Sequence, residues 1–399
     1  MKKPVNIFQE DAGLNQVKTE KDLHTLLQLI YVQKREVKKN PLSYKAFKYF
    51  TSPSIAKNRY KVFTIKKKSG GVRIINSPVN ILKSFQWSLN VLLQEVFEPH
   101  KAATGFKAGN SIVDNARPHV NMNYVFNIDL KDFFSSIDQA RIWKRLQFPP
   151  FNLNKETGRL EIANRIAALC CTEMEVERLD GHNNWIKVKK NVLPQGAPTS
   201  PIISNIIAYR LDYQLTGLAK RFGLNYTRYA DDITFSSLHN VYQTESEFIK
   251  ELFKIVKGQN FYINPAKTRL QKAGFVQETT GLKVNEKVNV KTHYIKEIRM
   301  WLYYWERYGY NRANEIFQRD YYRDKSHIKK QNPLMENVLD GKLEYLKMVK
   351  GEGDSTYLKL QKRFLKLVAP QSHFAEILHV WEKNGIDKAI DLFHEKLKE

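Results

Sequence analysis

Apolar residues along the chain follow a helical rhythm at both ends and a strand rhythm between them. Leu23, Leu26, Leu27 and Ile30 recur at helix spacing, so the first sixty residues predict helix, with the basic run KREVKK following. Residues 60–78, YKVFTIKKKSGGVRIINSP, are two β-rich runs parted by Ser69-Gly70-Gly71 and predict a hairpin. Residues 81–97 return to a helical pattern through Leu82, Phe85, Leu89, Leu92 and Leu93. YVFNID at 124–129 is a compact apolar strand, and SSID at 135–138 predicts a helix start with a serine cap. A helix, a break at Pro149-Pro150, a second helix near 160–174 and a polar hairpin around 180–184 are expected next. Ser200 as cap and Pro201 in the first turn open a helix with an apolar stripe of Ile202, Ile203, Ile206, Ile207, Leu211, Leu215 and Leu218. NYTRYADDITFSS predicts strand–turn–strand with two carboxylates at the bend. Beyond 290 the chain reads as almost wholly helical, with a loop at 351–355.

Composition narrows the class. At roughly 100–200 residues per domain, 399 residues make two or three domains. Sixty-five Lys and Arg against 41 Asp and Glu leave a net charge of +24, which suits a surface that displaces counterions from a phosphate backbone. Interleaved Tyr and Phe suit base stacking. No long uncharged apolar run points to a membrane span. Gln9, Glu10 and Asp11 interrupt the start before a signal-peptide core can form. Adjacent Cys170 and Cys171 make a poor disulfide and an incomplete zinc site. These features predict a soluble, reduced, cytoplasmic protein.

The chemistry centres on Asp129 with Asp231 and Asp232. If their strands are neighbours in one sheet, three carboxylates crowd one spot, and hard oxygen ligands favour Mg²⁺. Two such ions can hold an attacking and a leaving oxygen about a phosphorus. Phe133 and Phe134 follow on the strand exit, where a ring would clash with a ribose 2′-hydroxyl; two core phenylalanines are the plainer reading. LPQGAPTSP at 193–201 suits a stiff loop lying against a base pair, although such a string more often simply enters a helix. Lys67 and Arg73 flank the Gly-Gly turn, where a basic hairpin could close over a triphosphate or merely be a solvated charge run.

Taken in order, IKKKSGGVR, FNIDLKDFF, LPQGAPTSP, YADD and NPAKT resemble the motifs of the reverse transcriptase family across about residues 55–290. The resemblance implies an α+β right-hand polymerase. Its parts would be a helical segment at 1–55, fingers and palm with a short antiparallel sheet at 56–290, and a helical thumb with extra C-terminal helices at 291–399. It implies metal binding by Asp129, Asp231 and Asp232, with two Mg²⁺ or alternatively Mn²⁺. It also implies a sugar-discriminating ring at Phe134, templating-pair contacts at Gln195 and Gly196, and a basic fingertip pair at Lys67 and Arg73. Lys267 would donate a proton to pyrophosphate, and Tyr229 would lie against the primer terminus.

Asn115-Ala116-Arg117-Pro118-His119 matches the NAxxH signature of retron reverse transcriptases, implying RNA recognition by Asn115, Ala116 and His119. The retron Val-Thr-Gly triplet, also used in RNA recognition, corresponds here to Thr279-Thr280-Gly281 and departs at its first position, leaving Thr280 and Gly281 as the match. The implied activity is copying a structured non-coding RNA into DNA from dNTPs in bacterial antiphage defence. Template RNA, nascent DNA and an effector protein would be the partners, with no membrane. Two alternatives stand beside it: a defence-associated non-retron enzyme with protein-primed or template-independent synthesis, and an RNA-binding scaffold with a vestigial polymerase site.

Overall fold

The computed structural model describes residues 13–36, 42–52, 58–66, 70–182, 184–324 and 333–396. Lys67 lies outside the described residues. The chain divides into two compact units, Met1–Thr280 and Gly281–Glu399.

The first unit opens with α1 (Glu20–Arg35), α2 (Tyr44–Phe50), strands β1 (Tyr60–Lys66) and β2 (Val72–Pro78), and α3 (Asn80–Val96). Thr19 starts α1 with a reciprocal capping box: its side chain accepts from the Asp22 amide, and the Asp22 carboxylate accepts from the Thr19 amide at 2.8 Å. The apolar stripe Leu23, Leu26, Leu27 and Ile30 is buried, with Phe47 of α2 and Phe85 of α3 in the same core. β1 and β2 pair antiparallel as expected, with Ile65 opposite Arg73.

After the short α4 (Ile112–Ala116) come β3 (Tyr124–Asp129), α5 (Gln139–Leu146), α6 (Leu160–Cys170), the hairpin β4 (Thr172–Leu179) and β5 (Trp185–Val192), and α7 (Ser200–Arg221). β6 (Asn225–Tyr229), β7 (Asp232–Ser237), α8 (Glu247–Gly258) and β8 (Arg269–Lys272) follow. The central sheet has the order β6-β7-β3-β8, with neighbours antiparallel. Its helix-covered face is aromatic: Phe235 of β7 packs at 5.0 Å from Tyr226 and 5.2 Å from Phe248 of α8. All seven apolar positions predicted for α7 are buried. Burial of each such side chain contributes about 1.5–3 kcal/mol, so α7 is a firm platform for the sheet.

Three local expectations are corrected. No serine caps α5: Asp138 stands at its N-terminus, and the Ser135 and Ser136 hydroxyls donate back to the Asp132 and Phe133 carbonyls. Thr199, not Ser200, precedes α7; the Ser200 hydroxyl instead donates to the Pro194 carbonyl at 2.6 Å and tightens the preceding loop. The second helix ends at Cys170, because Thr172 enters β4. Both cysteines are buried free thiols, and burial pushes Cys170 up to about 12, so it stays protonated.

Beyond a short strand at Leu282–Lys283, the second unit is helical: α9 (Thr292–Asp324), α10 (Met335–Lys350), α11 (Ser355–Asn384) and α12 (Ile386–Lys396). Two helical stretches of α9 meet at Gly309, whose φ of 75° lies outside helical space. Trp301 packs edge-on against Phe317 at 5.1 Å, and Trp305 lies 5.0 Å from Tyr310, so both indoles belong to this unit's core. Tyr303 and Tyr308 are exposed.

Candidate active site

Asp129 is the last residue of β3 and pairs directly with Asp232, the first residue of β7. Directly opposed residues of an antiparallel pair project to one face, so these two acids share a face of the sheet. Asp231 sits in the turn between β6 and β7, its carbonyl accepting from the Leu130 amide at 3.0 Å. That turn is made by Ala230, whose φ of 58° is left-handed. A non-glycine there stores about 1–3 kcal/mol of strain.

The three acids feel one another. Desolvation, then the Asp129 charge, raises the Asp231 carboxyl above its ordinary value, while Lys267 and Arg73 pull it down. Asp232 is pushed up to about 6, first by desolvation and then by Asp231 and Asp129, although the residue is exposed, which screens this shift. Asp129 is 6% exposed and takes both contacts of the Lys267 ammonium, at 2.9 and 2.8 Å. Burial lowers the Lys267 pKa, but the Asp129 hydrogen bond and the acidic trio more than offset it and hold the ammonium charged. Asn264 holds the same carboxylate at 3.3 Å, and its amide donates to the Asp129 carbonyl at 2.8 Å.

The three side chains offer only oxygen donors, the type a hard divalent ion takes, and the Asp231 and Asp232 carboxyls hold their protons more tightly than usual, first through desolvation and then through neighbouring negative charge. Among the described residues no group of three or more His, Cys, Asp or Glu side chains is placed so that it could hold a metal ion. The acids converge on one end of the sheet, and Lys267 partly neutralises them.

Aromatic and basic groups surround this end. Phe133 is buried against Phe261 at 5.4 Å, the plain core reading, whereas Phe134 is only half-buried. Phe106 stands 6.2 Å from Phe134 and 6.3 Å from Tyr229, forming an aromatic wall beside the carboxylates. Arg73 is exposed, yet its charge reaches Asp231. Gln195 accepts from the Asn76 amide of β2 through its carbonyl at 2.8 Å. Gly196, at φ 122°, lies so close to β2 that an added Cβ would sit 2.7 Å from the Asn76 carbonyl oxygen. Glycine is therefore the residue that lets this loop lie flat on the β1–β2 hairpin.

The NAxxH residues have a different environment. Asn115, Ala116 and His119 are each 0% exposed, so in this structure none of them presents a surface to a partner. His119 bridges Ser236 and Thr227 at 2.7 and 2.8 Å, and burial pushes its pKa down to about 3, leaving it neutral. Asn115 accepts from Thr104 at 2.7 Å and donates to Thr280 at 3.4 Å. Thr280 has a left-handed φ of 48°, and Gly281, with φ 82°, is exposed.

Sequence reasoning gave no site role to Phe106, Gly105 or the pair Arg228–Asp212. Gly105 lies against the β6–β7 turn, where a Cβ would approach the Ala230 amide nitrogen to 2.7 Å. Arg228 and Asp212 are both fully buried and joined by two bonds of 2.7 and 2.6 Å. An arginine within the strand pattern NYTRY was the available signal.

Against known proteins, the family model for reverse transcriptase (RNA-dependent DNA polymerase) matches residues 65–295, more than half of the chain. The chain belongs to the reverse transcriptase family. Its similar relatives include the retron Mx65 reverse transcriptase of Myxococcus xanthus, 33% identical over 299 residues that cover 73% of this chain and 62% of the relative. The retron Mx162 reverse transcriptase of the same organism is 37% identical over 57% of this chain and 47% of its own length. The retron Ec86 reverse transcriptase of Escherichia coli is 34% identical over 60% and 68% respectively. The match thus spans about half to two thirds of these reverse transcriptases' own lengths. A solved telomerase from Candida albicans, in complex with a fragment of telomeric RNA, aligns at a TM-score of 0.40 and 11% identity, over 78% of this chain and 63% of that one. No helix among the described residues is long and apolar enough to cross a membrane.

Proposed function

We propose that this chain is an RNA-directed DNA polymerase that copies a structured non-coding RNA into DNA, in the antiphage setting implied by its retron-type resemblance. The observation that carries the reading is the pairing of Asp129 with Asp232, with Asp231 electrostatically coupled to both. In this reading the sheet is the palm, the β1–β2 hairpin belongs to the fingers, and the helices beyond 290 form the thumb and its extension.

Asp129, Asp231 and Asp232 would hold two Mg²⁺ ions, which when bound offset charge on the attacking and leaving oxygens of an in-line displacement. The protein's own share is positioning and electrostatics. Lys267, held charged by the acids, has a proton to give the departing pyrophosphate. Phe134, backed by Phe106, walls the sugar site against a 2′-hydroxyl. Tyr229, on the same aromatic wall, supports the primer end. Gln195 and Gly196 offer a flat ledge for the templating pair, and Arg73 supplies positive charge for the triphosphate. The exposed Tyr303 and Tyr308, with neighbouring arginines, suit a nucleic-acid duplex or structured RNA.

The test is extension of a DNA primer on an RNA template by the purified full chain with Mg²⁺ and dNTPs. Extension with dNTPs, but not with rNTPs, is expected. The Asp231→Ala/Asp232→Ala double variant should lose it while keeping RNA affinity. A double variant that extends at the wild-type rate overturns the reading.

A further inference from the structure

The fully buried pair Arg228–Asp212 does something that burial alone does not require. Removing two charges from water is expensive, and apolar residues of like volume often serve stability as well. Here the charged fork is aimed. Arg228 Nε donates to Asp212 Oδ1 at 2.7 Å and Nη2 to Oδ2 at 2.6 Å. Nη2 also donates to Asn205 Oδ1 at 3.1 Å, and Nη1 to the carbonyl of Ala230 at 3.0 Å. That carbonyl belongs to the strained left-handed residue between Tyr229 and the Asp231-Asp232 pair.

Asp212 and Asn205 lie two helical turns apart on α7, so the anchor is the longest helix of the first unit. Asn205 donates to the Gly105 carbonyl at 3.0 Å, and Gly105 packs on the Ala230 amide from the other side. Tyr226 adds a 2.8 Å bond to Asp212. The turn is therefore gripped from its carbonyl and backed at its amide by elements fixed to α7.

We propose that Arg228 and Asp212 are positioning residues, whose buried fork holds the Ala230 carbonyl and so sets the turn that brings Asp231 and Asp232 to Asp129. The guanidinium is suited to this because its planar fork can bind a carboxylate with two donors and leave a third for the carbonyl. A lysine offers one point charge and cannot span both. The proposal rests on the polymerase reading for its consequence, but not for its first readout.

The test compares wild type with Arg228→Met/Asp212→Leu, an apolar pair chosen because it leaves no unpaired buried charge. Melting temperature without metal, Mn²⁺ binding followed by electron paramagnetic resonance, and primer extension are measured on the full chain. A folded double variant is expected to bind Mn²⁺ at least tenfold more weakly. Its kcat should fall at least a hundredfold, with KM for dNTP within about threefold of wild type. Arg228→Lys should not restore either quantity. If the double variant does not fold, Asn205→Ala serves, since it cuts one fork contact and the Gly105 tether while leaving the ion pair. It should weaken Mn²⁺ binding about threefold. Wild-type Mn²⁺ affinity and kcat in the folded variant overturn the proposal. A wild-type chain that binds Mn²⁺ but extends no primer instead counts against the polymerase reading, and the Mn²⁺ comparison still tests the fork.

Discussion

Strands β6 and β7 carry two polar clusters built on opposite terms. At the turn end, Asp231 and Asp232 face Asp129 with Lys267 bonded only to the last of the three, and the Asp231 and Asp232 carboxyls hold their protons more tightly, first through desolvation and then through their acidic neighbours. Further along the same strands, Thr227 and Ser236 each bond one nitrogen of His119, and Asn115 accepts from Thr104. That second cluster is neutral and paired, as buried polar groups in a settled interior are. The first is charged and underpaired, which is the state of a group arranged for something else to bind. Polarity within a sheet therefore separates into brace and site by whether the partners are already present.

The largest effects should come from exchanging these roles. Asp231→Asn removes a charge proposed to hold metal and should lower primer extension at least a thousandfold, about 4 kcal/mol of transition-state stabilisation. Its melting temperature without metal should be no lower than wild type, because a repelled, desolvated charge has gone. A melting temperature several degrees lower would make Asp231 a structural residue. His119→Ala should do the reverse. Two buried hydroxyls lose their partner, at about 1–3 kcal/mol each at most, so thermal melting should fall by roughly 5 °C. The folded fraction should still extend a primer within about threefold of wild type. A thousandfold loss of turnover in folded His119→Ala would merge the two clusters into one site.

How much of this could be read from the chain depends on which residues advertise themselves. The carboxylates were legible because YVFNID and NYTRYADDITFSS carry strand patterns ending on acids, and strand pairing then decides the rest. The α7 stripe was legible for the same reason, since its period matches the helix. Asn115 and His119 were visible as a motif but not as a brace, because polarity in sequence does not tell whether a partner waits across the sheet. Phe106 and Gly105 gave little warning: a glycine's importance here is a missing Cβ against Ala230, a contact made across more than a hundred residues. The serine caps failed because a hydroxyl can satisfy a nearby carbonyl instead of a helix amide, as Ser136 and Ser200 do.

The aromatic wall sharpens the comparison on the site side. On the proposed role of Phe134 as the wall of the sugar site, Phe134→Ala should raise incorporation of ribonucleotides relative to deoxynucleotides about tenfold to a hundredfold, the scale of about 1–3 kcal/mol in a shaped pocket. Phe106→Ala, one ring further out, should give a smaller rise. Competition between dCTP and CTP in single-nucleotide extension measures both. Unchanged discrimination in Phe134→Ala would leave that ring with only a packing role.

The smallest effect is also the most discriminating, because the two clusters should tilt stability in opposite directions with pH. His119 is held near 3 against an ordinary value near 6.5, so between those limits the unfolded chain binds the extra proton and stability falls as pH falls. Asp232 is raised to about 6 from 3.8, so the folded chain binds the extra proton and stability rises as pH falls through about 6 toward 4. One proton tilts stability by at most about 1.4 kcal/mol per pH unit, and the solvent edge of Asp232 reduces its share. Thermal melting in metal-free buffer from pH 7 to pH 4 isolates each slope by difference. His119→Gln should lose less stability on acidification than wild type, and Asp232→Asn should lose more, since the group that gains by taking up a proton has been removed. Parallel curves for wild type and Asp232→Asn would mean that Asp232 is no more strained than a surface carboxylate. The contrast between a satisfied brace and an unsatisfied site would then rest on Asp231 alone.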